Sequence, residues 1–136
     1  MKTWFVDSNV LLRFLTTDDD GRHERAARFL RKASRGEIRL VCGPPVLFEL
    51  AWTLRAAYKV GRDNVLEILS GLYAMPGLTM TDGPVVQEAL TLAAATGAEF
   101  ADAYIAAAAR ASECAGVATF NRRDFSRLGI GLADLT

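Results

Sequence analysis

The feature that most constrains this chain is a local pattern that recurs along it. A short run of strand-forming residues stops on a polar or glycine-containing segment and hands over to a helix. Thr3-Trp4-Phe5-Val6 reads as a buried first strand, and Asp7-Ser8-Asn9 breaks it and caps a helix over Val10–Leu15. Ile38–Cys42 reads as a second strand, and Gly43-Pro44-Pro45 opens a helix to about Lys59. Leu78–Thr81 is a third, followed at Asp82-Gly83-Pro84 by a helix to Thr96. Val117–Phe120 is a fourth, followed by a polar turn over 121–128, with Ile130–Leu135 as a further edge strand. Between them lie an amphipathic helix over 22–35, a helix over Asn64–Tyr73 and an alanine-rich helix over Phe100–Ala115. Strands that alternate with helices pair in parallel, because each crossover returns the chain to the same edge. The fold class is therefore α/β, a single domain over 1–136 with a sheet of about five strands flanked by helices. In such sheets ligands bind at the carboxyl ends of the strands, so the polar residues that follow each strand are the ones to inspect.

Residue usage removes several chemistries. His23 is the only histidine and sits in a charged run, Arg22-His23-Glu24-Arg25, where a solvated ring is expected. Ser-His-Asp and Cys-His sites are thereby confined to one position. Cys42 and Cys114 lack metal-ligand spacing and both lie in apolar stretches, which predicts two buried free thiols. Unpaired thiols and no apolar leader predict a cytoplasmic protein, and no apolar run is long enough to span a membrane. The 16 Lys and Arg balance the 16 Asp and Glu, which argues against a protein that coats nucleic acid nonspecifically. Chemistry, if present, falls to carboxylates.

Four carboxylates stand out. Asp7 ends the first strand, where it reads equally as a helix cap. Glu49 lies within Val46-Leu47-Phe48-Glu49-Leu50-Ala51-Trp52, which predicts a buried acid that needs a cation or an arginine such as Arg55. Trp52 is expected in the core. Asp102 begins the alanine-rich helix, with Ala98, Glu99, Ile105 and Ala106 one turn away, and could instead serve the helix N-terminus, a role Glu99 could also fill. Asp124 follows the fourth strand and could instead pair with Arg122 or Arg127. A parallel sheet can bring all four to one rim. Clustered carboxylates repel, and an oxygen-only donor set selects Mg²⁺ or Mn²⁺.

These segments resemble a known family. Phe5-Val6-Asp7-Ser8-Asn9, Glu49 in the helix after Pro44-Pro45, Phe100-Ala101-Asp102-Ala103 and Thr119-Phe120-Asn121-Arg122-Arg123-Asp124-Phe125 together look like a PIN domain. The chain most resembles the VapC-like ribonuclease toxins of toxin–antitoxin pairs. The resemblance implies strand order 3-2-1-4-5 and a metal-dependent endoribonuclease. It carries Asp7, Glu49, Asp102 and Asp124 onto the family's acidic metal cluster. Asn9 and Thr119 match polar positions that support the acids by hydrogen bonding. Asn121, placed with them as a supporting residue, departs from the pattern: many relatives carry an acid there, whereas others have Asn and keep the later Asp, which makes Asp124 the ligand the resemblance supports least. The resemblance also implies an RNA substrate, a small antitoxin that inserts into the cleft, and homodimers.

Seven Lys or Arg against two Glu over 22–39 offer a basic face, although a solvated helix side accounts for it as well. Arg13, Arg122 and Arg123 lie nearer the acids and are the candidates for RNA phosphates. A dehalogenase-like phosphatase needs a second acid where Asn9 stands, and a receiver-like signalling module needs a late lysine where the chain has only Lys2, Lys32 and Lys59. A catalytically silent module of the same fold is the other alternative. A P-loop is excluded, because no Gly-Lys-Ser/Thr sequence exists.

Overall fold

The strand-then-helix pattern folds into a three-stranded parallel sheet covered by seven helices. A computed structural model describes residues 1–136. The elements are β1 (Thr3–Phe5), α1 (Ser8–Leu15), α2 (Asp20–Ser34), β2 (Arg39–Cys42), α3 (Pro44–Ala56), α4 (Arg62–Tyr73), β3 (Leu78–Met80), α5 (Gly83–Thr96), α6 (Phe100–Ala111) and α7 (Arg122–Ser126). The sheet order is β1-β2-β3, with Trp4 opposite Leu40 and Val41 opposite Thr79. β2 has a neighbour on each side, and its Leu40 and Cys42 are fully buried. No helix is long and apolar enough to cross a membrane.

Local chemistry explains the boundaries. The Asp7 carboxylate accepts from the Ser8 amide at 2.7 Å and starts α1. Asp19 does the same for α2, accepting from the Arg22 amide at 3.0 Å. Pro44 and Pro45 occupy the first turn of α3, where a missing N–H costs nothing. α5 and α6 pack closely because their shared seam is built from alanine: Ala89, Ala93, Ala103, Ala106 and Ala107 are fully buried. Small side chains set the separation of two helix axes at its lower end.

The expected five strands are not all formed. The fourth, Val117–Phe120, makes only an isolated parallel bridge between Val117 and Leu132, so the expected edge strand at 130–135 is also reduced to that bridge. Neither segment pairs with β1. The reason lies in how the chain leaves α6. The helix ends at Ala111, short of the expected Ala115, because Glu113 adopts a left-handed conformation with φ 57°. The Glu113 amide then donates to the Arg110 carbonyl at 3.0 Å and the Cys114 amide to the Ala109 carbonyl at 2.9 Å. That is a Schellman ending built on glutamate in place of glycine. Beyond it, Gly116 lies so close to Gly131 that a β-carbon would sit 2.0 Å from the Gly131 oxygen. The contact commits Val117 to the C-terminal segment.

Burial expectations change as well. β1 is not buried: Trp4 and Phe5 are exposed, because the strand that was to cover their edge is absent. Cys114 is exposed rather than buried, since it lies past the shortened helix, whereas Cys42 is buried as expected. His23 is half-buried, with Nδ1 3.0 Å from the Arg13 carbonyl, so the ring nitrogen donates there.

Candidate functional site

The acid best placed by the fold is Asp102. It lies in the first turn of α6, and the buried Ala103, Ala106 and Ala107 behind it fix that helix on α5. An aromatic group braces the same turn against α3. Phe48 lies 5.6 Å from Phe100 and 5.1 Å, edge-on, from Tyr104. The Tyr104 hydroxyl lies 3.5 Å from Asp82 at the end of β3, a long hydrogen bond, and burial, then the Asp82 charge, push its pKa up. Asp102 is half-buried and its carboxyl is pushed above the ordinary carboxylate value, first by desolvation, then by the charges of Asp124 and Glu99. No arginine or lysine pairs with it.

Asp124 reaches this neighbourhood from the short helix α7. It is half-buried and accepts from Asn121 Nδ2 at 3.0 Å. The Thr119 hydroxyl in turn accepts from the Asn121 amide at 3.0 Å, so the three polar residues form one chain of bonds. The pairing of Asp124 with Arg122 or Arg127 does not occur. Arg122 instead donates to the Ala133 carbonyl at 2.9 Å. Asp7 stands exposed at the carboxyl end of β1, and Asn9 is exposed one residue into α1.

Glu49 departs from expectation. It is exposed, because α3 buries Val46, Leu47, Leu50 and Leu54 and turns Pro45, Glu49 and Trp52 outward. Trp52 is 72% exposed, not in the core. Arg55, the suggested partner of Glu49, instead forms an ion pair with Glu99.

A second feature follows α1 and α2. Asn9, Arg13, Arg22, Arg25 and Phe29 line a groove of about 590 Å³. Arg13 is tied to Asp18 at 3.1 Å and Arg22 to Asp19 at 3.5 Å. Asp18 also accepts from the Tyr58 hydroxyl at 2.8 Å, which is the main reason its carboxyl is held below the ordinary value. Arg123 has no ion-pair partner.

The donor chemistry suits a hard divalent cation, since every candidate ligand is a carboxylate and Asp102 and Asp124 repel one another. The four acids do not close into a cage, however. No three His, Cys, Asp or Glu side chains gather around one point. Asp102 and Asp124 are brought together; Asp7 and Glu49 stand apart from them in their interactions.

Sequence reasoning missed Arg62. Its Nη1 donates at 3.0 Å to both the Ala93 and the Ala98 carbonyls, locking the turn that leads into α6 onto α4. It also missed the Arg55–Glu99 pair, whose members lie 44 residues apart. No local spacing signals either contact.

No curated protein matches the chain. The sequence model of the PIN domain family matches residues 4–131, a span that holds Asp7, Glu49, Asp102 and Asp124. PIN domains are in general metal-dependent nucleases that use Mg²⁺ or Mn²⁺. With residues 4–131 of its 136 matched, the chain belongs to the PIN domain family.

Proposed function

We propose that this protein is an endoribonuclease that hydrolyses RNA phosphodiester bonds with Mg²⁺ or Mn²⁺, and that it is the toxin of a toxin–antitoxin pair. The observation that carries the nuclease reading is Asp102. A half-buried carboxylate beside Asp124 and Glu99, with no cationic side chain to answer it, is the electrostatic setting a divalent cation relieves. Asp102 and Asp124 would hold the cation, with Asp7 and Glu49 completing the set on the strength of family resemblance. A cation so held supplies positive charge against a phosphodiester and a more acidic bound water.

The chain's own residues do the rest. Asn121 holds Asp124 by its side-chain amide and is itself held by Thr119, which fixes that acid without neutralising it. The groove of Arg13, Arg22 and Arg25 begins at Asn9, two residues from Asp7, and offers a phosphate backbone a charged path toward the acids. Arg123, unpaired beside Asp124, is a further phosphate contact, and Arg122 flanks it. The balanced overall charge keeps such binding modest and local. The toxin role, a small antitoxin inserted into the cleft, a homodimer and a cytoplasmic setting rest on the VapC-like resemblance of the motifs around Asp7, Asp102 and Asp124.

The test is cleavage of structured RNAs by the purified protein with Mg²⁺, with Mn²⁺ and with EDTA. Cleavage should require the metal and fall by about 100-fold or more in Asp102→Asn and Asp7→Asn. Cleavage that persists in EDTA, or a normal rate in either variant, overturns the metal mechanism. Absence of cleavage with both metals favours the catalytically silent alternative. For the toxin role, induced expression should arrest growth of a bacterial host, and Asp102→Asn should not.

A further inference from the structure

A cavity of about 340 Å³ lies between α3, α4 and the start of α6, and Asp102 forms part of its wall. Its floor is apolar, with Phe48 braced against Phe100. Trp52 stands at its edge, 72% exposed. Its polar members are Asp102, Arg62, whose guanidinium is engaged by the Ala93 and Ala98 carbonyls and by Asp63, and Arg55 and Glu99, joined as an ion pair and each about half exposed. Only one carboxylate oxygen of Glu99 and one terminal nitrogen of Arg55 are used in that pair. The other oxygen and the remaining guanidinium donors have no protein partner.

We infer that this cavity is a base pocket, specific for an unpaired guanine of the RNA strand whose phosphate lies at Asp102. The inference rests on the ribonuclease reading for the identity of the strand. Three observations single out a base. The cavity is at the small end of ligand sites, which run from about 300 Å³, so it takes one base and not a folded helix. A planar, exposed indole beside a guanidinium is the surface on which unstacked RNA bases lie. The cavity reaches the candidate acids, since Asp102 and Glu99 both form part of its wall.

Guanine follows from the donor pattern. A carboxylate accepts two adjacent N–H groups, and the neighbouring guanidinium donates to a carbonyl. The Watson–Crick edge of guanine presents O6, N1–H and N2–H, in that order. Adenine and cytosine place a bare ring nitrogen against the carboxylate, and uracil offers one N–H between two carbonyls. Each of those sets an acceptor against the carboxylate or forfeits one of the two charge-assisted bonds.

The experiment uses the intact protein in EDTA, so that cleavage plays no part. Trp4 and Trp52 are the only two tryptophans, and Trp4→Phe leaves Trp52 as the sole indole reporter. Titration with GMP should quench it saturably, at least about tenfold more tightly than AMP, CMP or UMP. Glu99→Gln should bring the four nucleotides within about threefold of one another. Trp52→Ala should weaken binding of a short guanine-containing RNA, read by anisotropy, about 5- to 150-fold. Both substituted side chains are exposed, so the variants should fold. Equal quenching by all four nucleotides, or none by GMP, overturns the proposal. So does a Trp52→Ala variant that binds RNA normally while losing a dimer in sedimentation, which would assign the cavity to a second copy. Guanine binding without cleavage in Mn²⁺ would instead sink the nuclease reading and leave the pocket standing.

Discussion

Arg62 is the side chain whose loss should tell most about how this fold holds its site. It is only 22% exposed, and its Nη1 places one hydrogen on the Ala93 carbonyl and the other on the Ala98 carbonyl, both at 3.0 Å. The first carbonyl closes the end of α5, where a cation is favoured by the helix dipole, and it also accepts from the Gly97 amide. The second has no backbone donor, and Ala98 is buried. Arg62→Met therefore removes one bond from a group that keeps another partner, about 1 kcal/mol, and orphans a buried carbonyl, about 1–3 kcal/mol. The contact with Asp63 is solvent-exposed and adds little. The expected loss is about 2–4 kcal/mol, or about 7–14 °C in unfolding midpoint for a chain of this size. Arg62→Lys, a single ammonium, should recover about half. The assay is urea and thermal unfolding followed by circular dichroism. Because Ala98 leads directly into Glu99 and the first turn of α6, Arg62→Met should also weaken guanine quenching of Trp52 under conditions where it is fully folded. A midpoint within about 2 °C of the parent would refute the clamp, since the two bonds could not then carry the turn.

Three other expectations follow from the same fold. The Asp102 carboxyl titrates above its ordinary value of 3.8 in the folded chain, so between that value and its folded pKa the native state binds more protons. Wild-type stability attributable to Asp102 should thus fall as pH rises through that window, Asp102→Asn should lack the decline, and a constant difference between the two from pH 3.5 to 7 would contradict it. Cys42 is buried, with desolvation pushing its thiol up to about 11, whereas Cys114 is exposed. A disulfide reagent at pH 8 should therefore titrate one thiol per native chain and two in denaturant, and two in the native state would show the core is open. Gly77 has φ +84°, and a β-carbon there would lie 2.3 Å from the Ala33 oxygen at the end of α2. Gly77→Ala should cost about 2–4 kcal/mol by chemical denaturation, and a loss under about 1 kcal/mol would mean that α2 and β3 are not tightly joined.

What could be read in the sequence is what depends on near neighbours. Asp7 and Asp19 cap helices, Pro44 opens one and Gly97 closes another, each by contacts within a few residues. The parallel order of β1, β2 and β3 follows from the intervening helices. The acidic positions were legible as strand-end and helix-start carboxylates. What was not legible depends on distant partners or on one unusual dihedral. Glu49 looked buried because apolar residues surround it in sequence, yet at 3.6 residues per turn it falls on the side of α3 away from Leu47, Leu50 and Leu54. Arg55 turned to Glu99 because α6 delivers that acid across the cavity. The glutamate that ends α6 early gave no warning, since Gly116 stood nearby as the expected stop.

That early ending decides how firmly each acid is held. Arg39 donates to the Lys2 carbonyl and Val6 to the Val41 carbonyl, so alternation along a parallel ladder turns the main chain of Thr3 and Phe5 away from β2. No strand lies on that side, and Phe120, from the segment expected there, is 90% exposed. Asp7 therefore hangs from a three-residue edge strand and Asp124 from a five-residue helix, while Asp102 rides on twelve residues of α6 seated along an alanine seam. On the proposed reading, holding a cation would require Asp7 and Asp124, each bonded only within its own short segment, to be ordered toward Asp102. Each such side chain costs about 0.5–1.5 kcal/mol to immobilise. On the proposed reading, affinity for a cation would be limited less by the number of carboxylates than by the open edge of β1. If these acids hold a cation, a change that orders the 117–120 segment should tighten its binding without touching Asp7, Asp102 or Asp124, whereas one that frays α6 should abolish it.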